Sequence, residues 1–236
     1  MPLLHASGGL LYHLRAWRWR HTRWQPFHSE VARWLDAWRP DASHLVLIGA
    51  SGGYALNGRF LGRFQRITVL EPDALARRLL RRRFADFEFE FADSSGLARK
   101  DGPARLAQNH PDAAFLFCNL LGQKLVGQGA GHQRQAWLQA LQAALLGREW
   151  ASWHDLVSSL RRPDRFAPLL LPELEPLDDL LARFWHGGEL EIHDHDCAGM
   201  LSKSFRQYAV WQLAPGRYHL VEWLVSTQYG NPQHAG

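Results

Sequence analysis

The stretch His44-Leu45-Val46-Leu47-Ile48-Gly49-Ala50-Ser51-Gly52-Gly53 decides the reading of this chain. It is an apolar run short enough for a buried strand, and it breaks into a glycine-rich turn. A second run, Ile67-Thr68-Val69-Leu70, ends on Glu71-Pro72-Asp73 about twenty residues further on. Two apolar strands with helical sequence between them predict a parallel βαβ unit. The spacing predicts strands over 44–49 and 66–71, a helix over 54–61 and another from Pro72 to residue 83. In that second helix Leu75, Leu79, Leu80 and Phe84 should face inward and Arg77, Arg78, Arg81 and Arg82 should face water.

The pattern continues outward. Phe87-Glu88-Phe89-Glu90-Phe91 alternates strictly, as an edge strand does, and Ala113-Ala114-Phe115-Leu116-Phe117-Cys118 is wholly apolar, as a central parallel strand should be. Helices are expected over 103–108, 133–146, 150–160 and 177–185, with a loop over 122–131 and a Pro-rich segment over 163–176. Glu189-Leu190-Glu191-Ile192-His193 reads as the fifth strand. Tyr208 to Leu213 and Tyr218 to Val225, joined by Ala214-Pro215-Gly216, read as a closing antiparallel hairpin. The expected fold is therefore α/β: a Rossmann-like, seven-stranded, mostly parallel sheet with helices on both faces. An N-terminal helical extension (1–40) would precede a domain over 41–230 carrying a helical insertion at about 122–188.

Composition narrows the classes. The 236 residues suffice for one substantial core, and 46% apolar with 21% charged residues is ordinary globular composition. No window offers the roughly 18 apolar residues of a membrane span, and the N-terminus lacks the form of a secretory signal, so a cytoplasmic protein with no membrane partner is expected. Two cysteines, Cys118 and Cys197, make no disulfide framework. The net charge of +4 permits an acidic partner without requiring one. Trp17, Trp19, Trp24, Trp34 and Trp38 interleave with Arg15, Arg18, Arg20 and Arg23, a mixture that can stack on bases and hold phosphates. Yet Trp34 and Trp38 stand at i, i+4 beside Val31 and Leu35, the packing face of a helix over 29–39, and packing takes precedence over nucleic acid.

In an open α/β sheet the carboxyl ends of the strands form the site. Those ends carry Gly49 to Gly53, Glu71, Asp93 with Ser94, Asn119, and the run His193-Asp194-His195-Asp196-Cys197. A carboxylate at the second strand end suits ribose hydroxyls, so a nucleoside is the expected ligand. Two phosphate motifs fail by letter. Gly53 to Gly58 is followed by Arg59 and Phe60 instead of the Lys and Ser or Thr of a P-loop, and Ser51 and Tyr54 occupy glycine positions of a dinucleotide fingerprint. His193, His195 and Cys197 would share one face of an extended strand and offer zinc ligands, but their spacing matches no zinc signature, so no metal is expected.

With these residues in place, the chain resembles the class I S-adenosylmethionine-dependent methyltransferases over about residues 40–225. Leu-Val-Leu-Ile-Gly49-Ala-Ser-Gly52-Gly53 looks like that family's first motif, Ile-Thr-Val-Leu-Glu71-Pro-Asp its second, Phe-Ala-Asp93-Ser its third, and Phe-Leu-Phe-Cys-Asn119-Leu-Leu-Gly-Gln its fourth. Two positions depart: Leu47 stands where the family has an acid, and Ser51 replaces the second glycine of its G-x-G turn. The resemblance implies S-adenosylmethionine as cofactor. Gly49, Ala50, Ser51 and Gly52 would lie at its methionine part, Glu71 and Pro72 at its ribose, and Asp93 and Ser94 at its adenine. Asn119 would reach both cofactor and acceptor. His193, Asp194 and His195 are candidates for a base, needed only if the acceptor must lose a proton. Aminopropyl transferases share the fold, but the carboxylates their polyamine substrate would need are absent around Asn119-Leu-Leu-Gly-Gln. The implied activity is methyl transfer to an acceptor, a small molecule in preference to nucleic acid. The other reading is a non-catalytic binding or partner protein on the same fold, RNA-associated through its basic N-terminus.

Overall fold

His44–Ile48 does form the central β1, buried along all but its first residue. The computed structural model describes residues 9–121, 131–195 and 206–226. Before β1 come α1 (Gly9–Trp19) and α2 (Gln25–Ala37); after it come α3 (Gly58–Leu61), β2 (Arg66–Leu70), α4 (Ala74–Arg83), β3 (Glu90–Phe91), α5 (Gly102–Asn109) and β4 (Ala113–Cys118). The second half contains α6 (Gly131–Leu145), β5 (Trp150–Ser159), β6 (Leu169–Leu171), α7 (Leu177–Ala182), β7 (His193–Asp194), β8 (Arg206–Ala214) and β9 (Arg217–Val225). The sheet runs β3-β2-β1-β4-β5-β9-β8-β6, with β7 paired to β5. The β3 to β5 half is parallel, and β9 and β8 close it in antiparallel register. This is a Rossmann-like α/β fold ending in an antiparallel hairpin. No helix among the described residues is long and apolar enough to cross a membrane.

Successive side chains of a strand point to opposite faces, so β1 feeds two cores. Leu45 and Leu47 join Phe27, Val31, Trp34 and Leu35 of α2 and Phe60 of α3. Val46 and Ile48 join Phe115 and Phe117 of β4, with Trp137 and Leu141 of α6 and Phe184 after α7. Trp24, Trp34 and Trp38 belong to the first of these cores and Trp19 packs against it, while Trp17 is exposed. Trp24 donates its indole N–H to the Leu213 carbonyl at 3.1 Å, and Trp34 stacks on Trp223 with ring centroids 5.5 Å apart. The N-terminal helices are therefore one layer of the domain. Removing one such buried Trp would cost about 3–5 kcal/mol.

Several expectations are corrected. Residues 150–160 are not helical: Trp150–Ser159 is the fifth strand of the sheet. Trp150, Trp153, Leu156 and Val157 fall at helical spacing, but a strand buried on both faces has no period of its own to display, and this one also buries Ser152, His154 and Asp155. Glu189 to His193 is accordingly not that strand; only His193–Asp194 pairs, antiparallel to Ser158 and Val157. The stretch 122–188 is thus no helical insertion, since it carries β5 and β6. Among the described residues the sheet has nine strands instead of seven, the additions being the short β6 and β7. In the 87–91 run only Glu90 and Phe91 pair with β2, while Phe87 and Phe89 pack on the first core. The helix expected over 54–61 shortens to Gly58–Leu61, capped by Asn57 Oδ1 accepting from Phe60 N at 2.8 Å. In α4 the buried positions are Ala76 and Leu80, with Leu75 exposed. Most of the 122–131 loop, together with Asp196 and Cys197, lies outside the described residues.

Candidate functional site

The turn after β1 is built from three left-handed residues: Gly49 at φ 72°, Ser51 at φ 51° and Gly53 at φ 67°. Glycine is required at Gly53 for a second reason, because a Cβ there would stand 2.5 Å from Leu80 of α4. Ser51 adopts a conformation that disfavours an L side chain by about 1–2 kcal/mol. Its backbone N–H explains how it is held: it donates to Glu71 Oε2 at 2.7 Å, while Asp73 N donates to Glu71 Oε1 at 3.1 Å. Glu71 thereby ties the glycine turn to the end of β2, using one lone pair on each oxygen and keeping another. Burial raises its carboxyl above the ordinary range, and the two backbone donors pull it back only in part.

The N-terminal helices reach this turn. His13 Nδ1 lies 2.9 Å from the Tyr54 hydroxyl and its Nε2 lies 3.5 Å from Asp73. Arg83, at the end of α4, donates to the Gly52 carbonyl at 3.2 Å and stacks 4.7 Å from the Tyr54 ring centroid. Between α1, α2 and the carboxyl edge of the sheet lies a cleft. Its walls are aromatic: Tyr12, Phe27, Tyr54, Trp153 and Trp211. Gly49, Ala50 and Ser51 give one side, Cys118 and Asn119 the floor, and His28 of α2 the main titratable group. Burial, with Arg83 and His21 adding to it, lowers the pKa of His28 from 6.5 to about 4, so its imidazole is neutral at pH 7. Burial likewise raises the Tyr12 hydroxyl and the Cys118 thiol, and both stay protonated.

Asn119 ends β4 in the left-handed region, at φ 50°. Its backbone N–H donates to the Trp153 carbonyl at 2.8 Å. Its amide Nδ2 donates to Asp155 Oδ2 at 3.2 Å, and Asp155 N donates to Asn119 Oδ1 at 3.0 Å. Asp155 in turn lies 3.0 Å from His219 Nδ1. Burial works to raise the Asp155 carboxyl, but His219, then His195 and Asn119, outweigh it and leave the group below the ordinary range. A bulge in the β5–β9 ladder between Asp155 and Val157 frees the Leu156 carbonyl, which accepts from His195 N at 2.9 Å. His195 is buried, its ring 6.2 Å from that of His219, and burial lowers its pKa against the opposing pull of Asp155.

The residues singled out in the sequence therefore fall into groups. Gly49, Ala50, Ser51 and Asn119 meet at the cleft, and Gly52 and Glu71 adjoin it. Pro72 is exposed beside Glu71. Asp93 is exposed and holds Ser95 through its N–H at 2.9 Å and its hydroxyl at 2.7 Å, while Ser94 is buried next to it. His195 joins Asp155 and His219; His193 and Asp194 stay exposed on β7. Among the described residues no cluster of three or more His, Cys, Asp or Glu groups is arranged to hold a metal. Sequence reasoning missed Tyr12, Phe27, His28, Asp155, Trp211 and His219. The Trp-rich N-terminus was the available signal for the first three; the misread β5 hid Asp155 and with it the partner of His219, while Trp211 meets Phe27 only through a pairing of distant segments.

No protein-family model matches the chain, and no curated protein does. Solved structures do. The N-methyltransferase NodS from Bradyrhizobium japonicum WM9, in complex with S-adenosyl-L-homocysteine, is similar over 86% of this chain and 87% of its own, at 12% identity and a TM-score of 0.47. A SAM-dependent methyltransferase from Anabaena variabilis ATCC 29413 covers 84% of this chain and 81% of its own, at 16% identity and a TM-score of 0.45. The SAM-bound amino pentose methyltransferase CalS10 from Micromonospora echinaspora covers 94% and 78%, at 18% identity and a TM-score of 0.37. Likeness at this level gives no residue-by-residue correspondence. The site stands on its own geometry.

Proposed function

We propose that this protein is an S-adenosylmethionine-dependent methyltransferase acting on a small molecule held in the aromatic cleft. The observation that carries the reading is the meeting of two half-sites at Ser51 and Asn119. On one side a glycine turn is tied to a buried carboxylate. On the other an aromatic-walled cleft is floored by a fixed amide. When bound, S-adenosylmethionine supplies a methyl group on a cationic sulfonium, and orientation of the nucleophile provides much of the rate.

The residues fit that cofactor. Gly49, Ala50 and Ser51 line the cleft where the methionine part would lie, and Glu71 keeps lone pairs for ribose hydroxyls. Asp93 and Ser94 stand further along the same edge for the adenine. Tyr54 and the facing rings exclude water from the point of transfer. Asn119, with one amide N–H and one carbonyl lone pair left over from Asp155, orients an acceptor hydroxyl or amine. His28 is neutral at pH 7 and accepts a hydrogen bond from an acceptor that must shed a proton.

Calorimetry with S-adenosylmethionine and S-adenosylhomocysteine tests the proposal. Binding is expected at micromolar concentration, weakened about tenfold or more by Glu71→Ala. Absence of binding at millimolar ligand would overturn it.

A further inference from the structure

The two buried carboxylates nearest the cleft, Glu71 and Asp155, are already engaged, the first by the Ser51 and Asp73 N–H groups and the second by Asn119 and His219. None of the described residues lining the cleft is acidic. Arg83 lies against it through Tyr54, and its hydrogen-bond partner is a carbonyl, that of Gly52. Arg20, after α1, bonds His21 Nε2 at 2.8 Å. Neither arginine has a carboxylate partner among the described residues. Arg20 depresses the guanidinium of Arg83, second only to its burial, and Tyr54 and His28 of the cleft feel the Arg83 charge, while Tyr12 feels Asp155 and Glu71 as well. Two cations at the Tyr54 end of an aromatic slot, without a carboxylate partner among the described residues, disfavour a cationic group at that end and favour an anionic one. Flat rings on the walls favour a flat ring between them, by offset or edge-to-face packing.

We propose that the cleft takes an aromatic acceptor bearing an anionic oxygen group, a carboxylate or a phosphate, which seats at Arg83 and Arg20. This names the substrate class of the methyltransferase reading and rests on it for the word acceptor; the anion subsite stands apart from it. A protonated amine is the ligand the site rejects. Arg83 is a specificity residue here, since it meets the charge and not the reacting atom.

The test uses three probes of one shape: benzoate, benzyl alcohol and benzylamine. Each is titrated into the full chain saturated with S-adenosylhomocysteine and followed by calorimetry and by quenching of tryptophan emission, to which Trp153 and Trp211 contribute. Benzoate is expected to bind about tenfold or more tighter than benzylamine, with the gap shrinking as salt is added. Arg83→Gln should erase the gap, Arg83→Lys should retain part of it, and Arg20→Gln should reduce it without touching the Gly52 contact. Benzylamine binding as well as benzoate, benzoate failing to bind at millimolar concentration, or an unchanged gap in both glutamine variants would overturn the proposal. The anion could also be the cofactor's own carboxylate. If Arg83→Gln weakens S-adenosylhomocysteine but spares 5′-methylthioadenosine, which lacks that carboxylate, and leaves benzoate untouched, the acceptor assignment falls. Should S-adenosylhomocysteine not bind at all while anion preference persists, the methyltransferase reading fails and the subsite survives.

Discussion

The two faces of the β5–β9 ladder carry polar clusters of similar make-up in opposite circumstances. On the face toward α6 and α7, His154 Nε2 lies 3.2 Å from Glu222 and Arg206 donates to Glu222 at 2.7 Å, with all three residues at most 1% exposed. Glu222 answers the Arg206 guanidinium there, and His154 is held from both sides, by Glu222 and by Ser152 Oγ at 3.2 Å from its Nδ1. On the face toward the cleft, Asp155 is shared between Asn119 and His219, and the buried His195 has neither ring nitrogen hydrogen-bonded among the described residues. A cluster sealed in the core around one shared carboxylate serves the fold, whereas a histidine with both ring nitrogens unengaged near a cleft is what a site keeps for a ligand. The same ladder thus separates a structural network from a working one by the side of the strand on which it falls.

The largest expected effect would come from the closed side. Glu222→Gln removes the shared anion and leaves buried Arg206 and His154 uncompensated, costing about 3–5 kcal/mol in denaturant unfolding. Cofactor affinity of the folded fraction should be unchanged; a loss of affinity would erase the distinction between the faces. Asp155→Asn should do the reverse. It is expected to cost about 1–3 kcal/mol of stability yet weaken S-adenosylhomocysteine and acceptor probes about tenfold, through the loosened Asn119. Asn119→Gly, which suits the left-handed backbone, should reproduce the binding loss with little change in unfolding.

Acid titration sharpens the contrast. Buried histidines with lowered pKa stabilise the fold above their unfolded value of 6.5, and that contribution disappears as pH falls toward the folded value. His28, at about 4, should therefore make stability decline between pH 6.5 and 4, and His28→Gln should flatten that limb when melting temperature is followed against pH. Glu222 and Asp155, held low, should add a second decline as pH drops below the ordinary carboxylate range. Glu71 acts with opposite sign. Its raised carboxyl favours the fold while protonated and loses that advantage as pH rises through the folded value. The smallest effect is a gain: Ser51→Gly should raise stability by about 1 kcal/mol while keeping the backbone bond to Glu71.

What the sequence disclosed follows the same division. The glycine turn, Glu71, the parallel order of β1, β2 and β4 and the closing hairpin are local patterns, and local patterns are legible. Asn119 was legible as a strand end, but its partner Asp155 was not, because that residue sat inside a segment whose apolar spacing imitated a helix. The cleft's far wall was invisible for a different reason. Trp24 bonding Leu213 and Phe27 stacking on Trp211 join residues from opposite ends of the chain, and such pairings leave no periodic trace.

The register of β5 has a mechanical consequence. Its pairing with β4 stops at Cys118 and Trp153, and its remainder is carried past the sheet's edge by β9 on one side and touched by β7 on the other. The edge is thus stepped, and the riser of that step is regular ladder instead of loop. Depth at this end of the sheet is fixed in increments of about 3.3 Å per residue, so lengthening or trimming the β5–β9 overhang resizes the chamber without redesigning a loop.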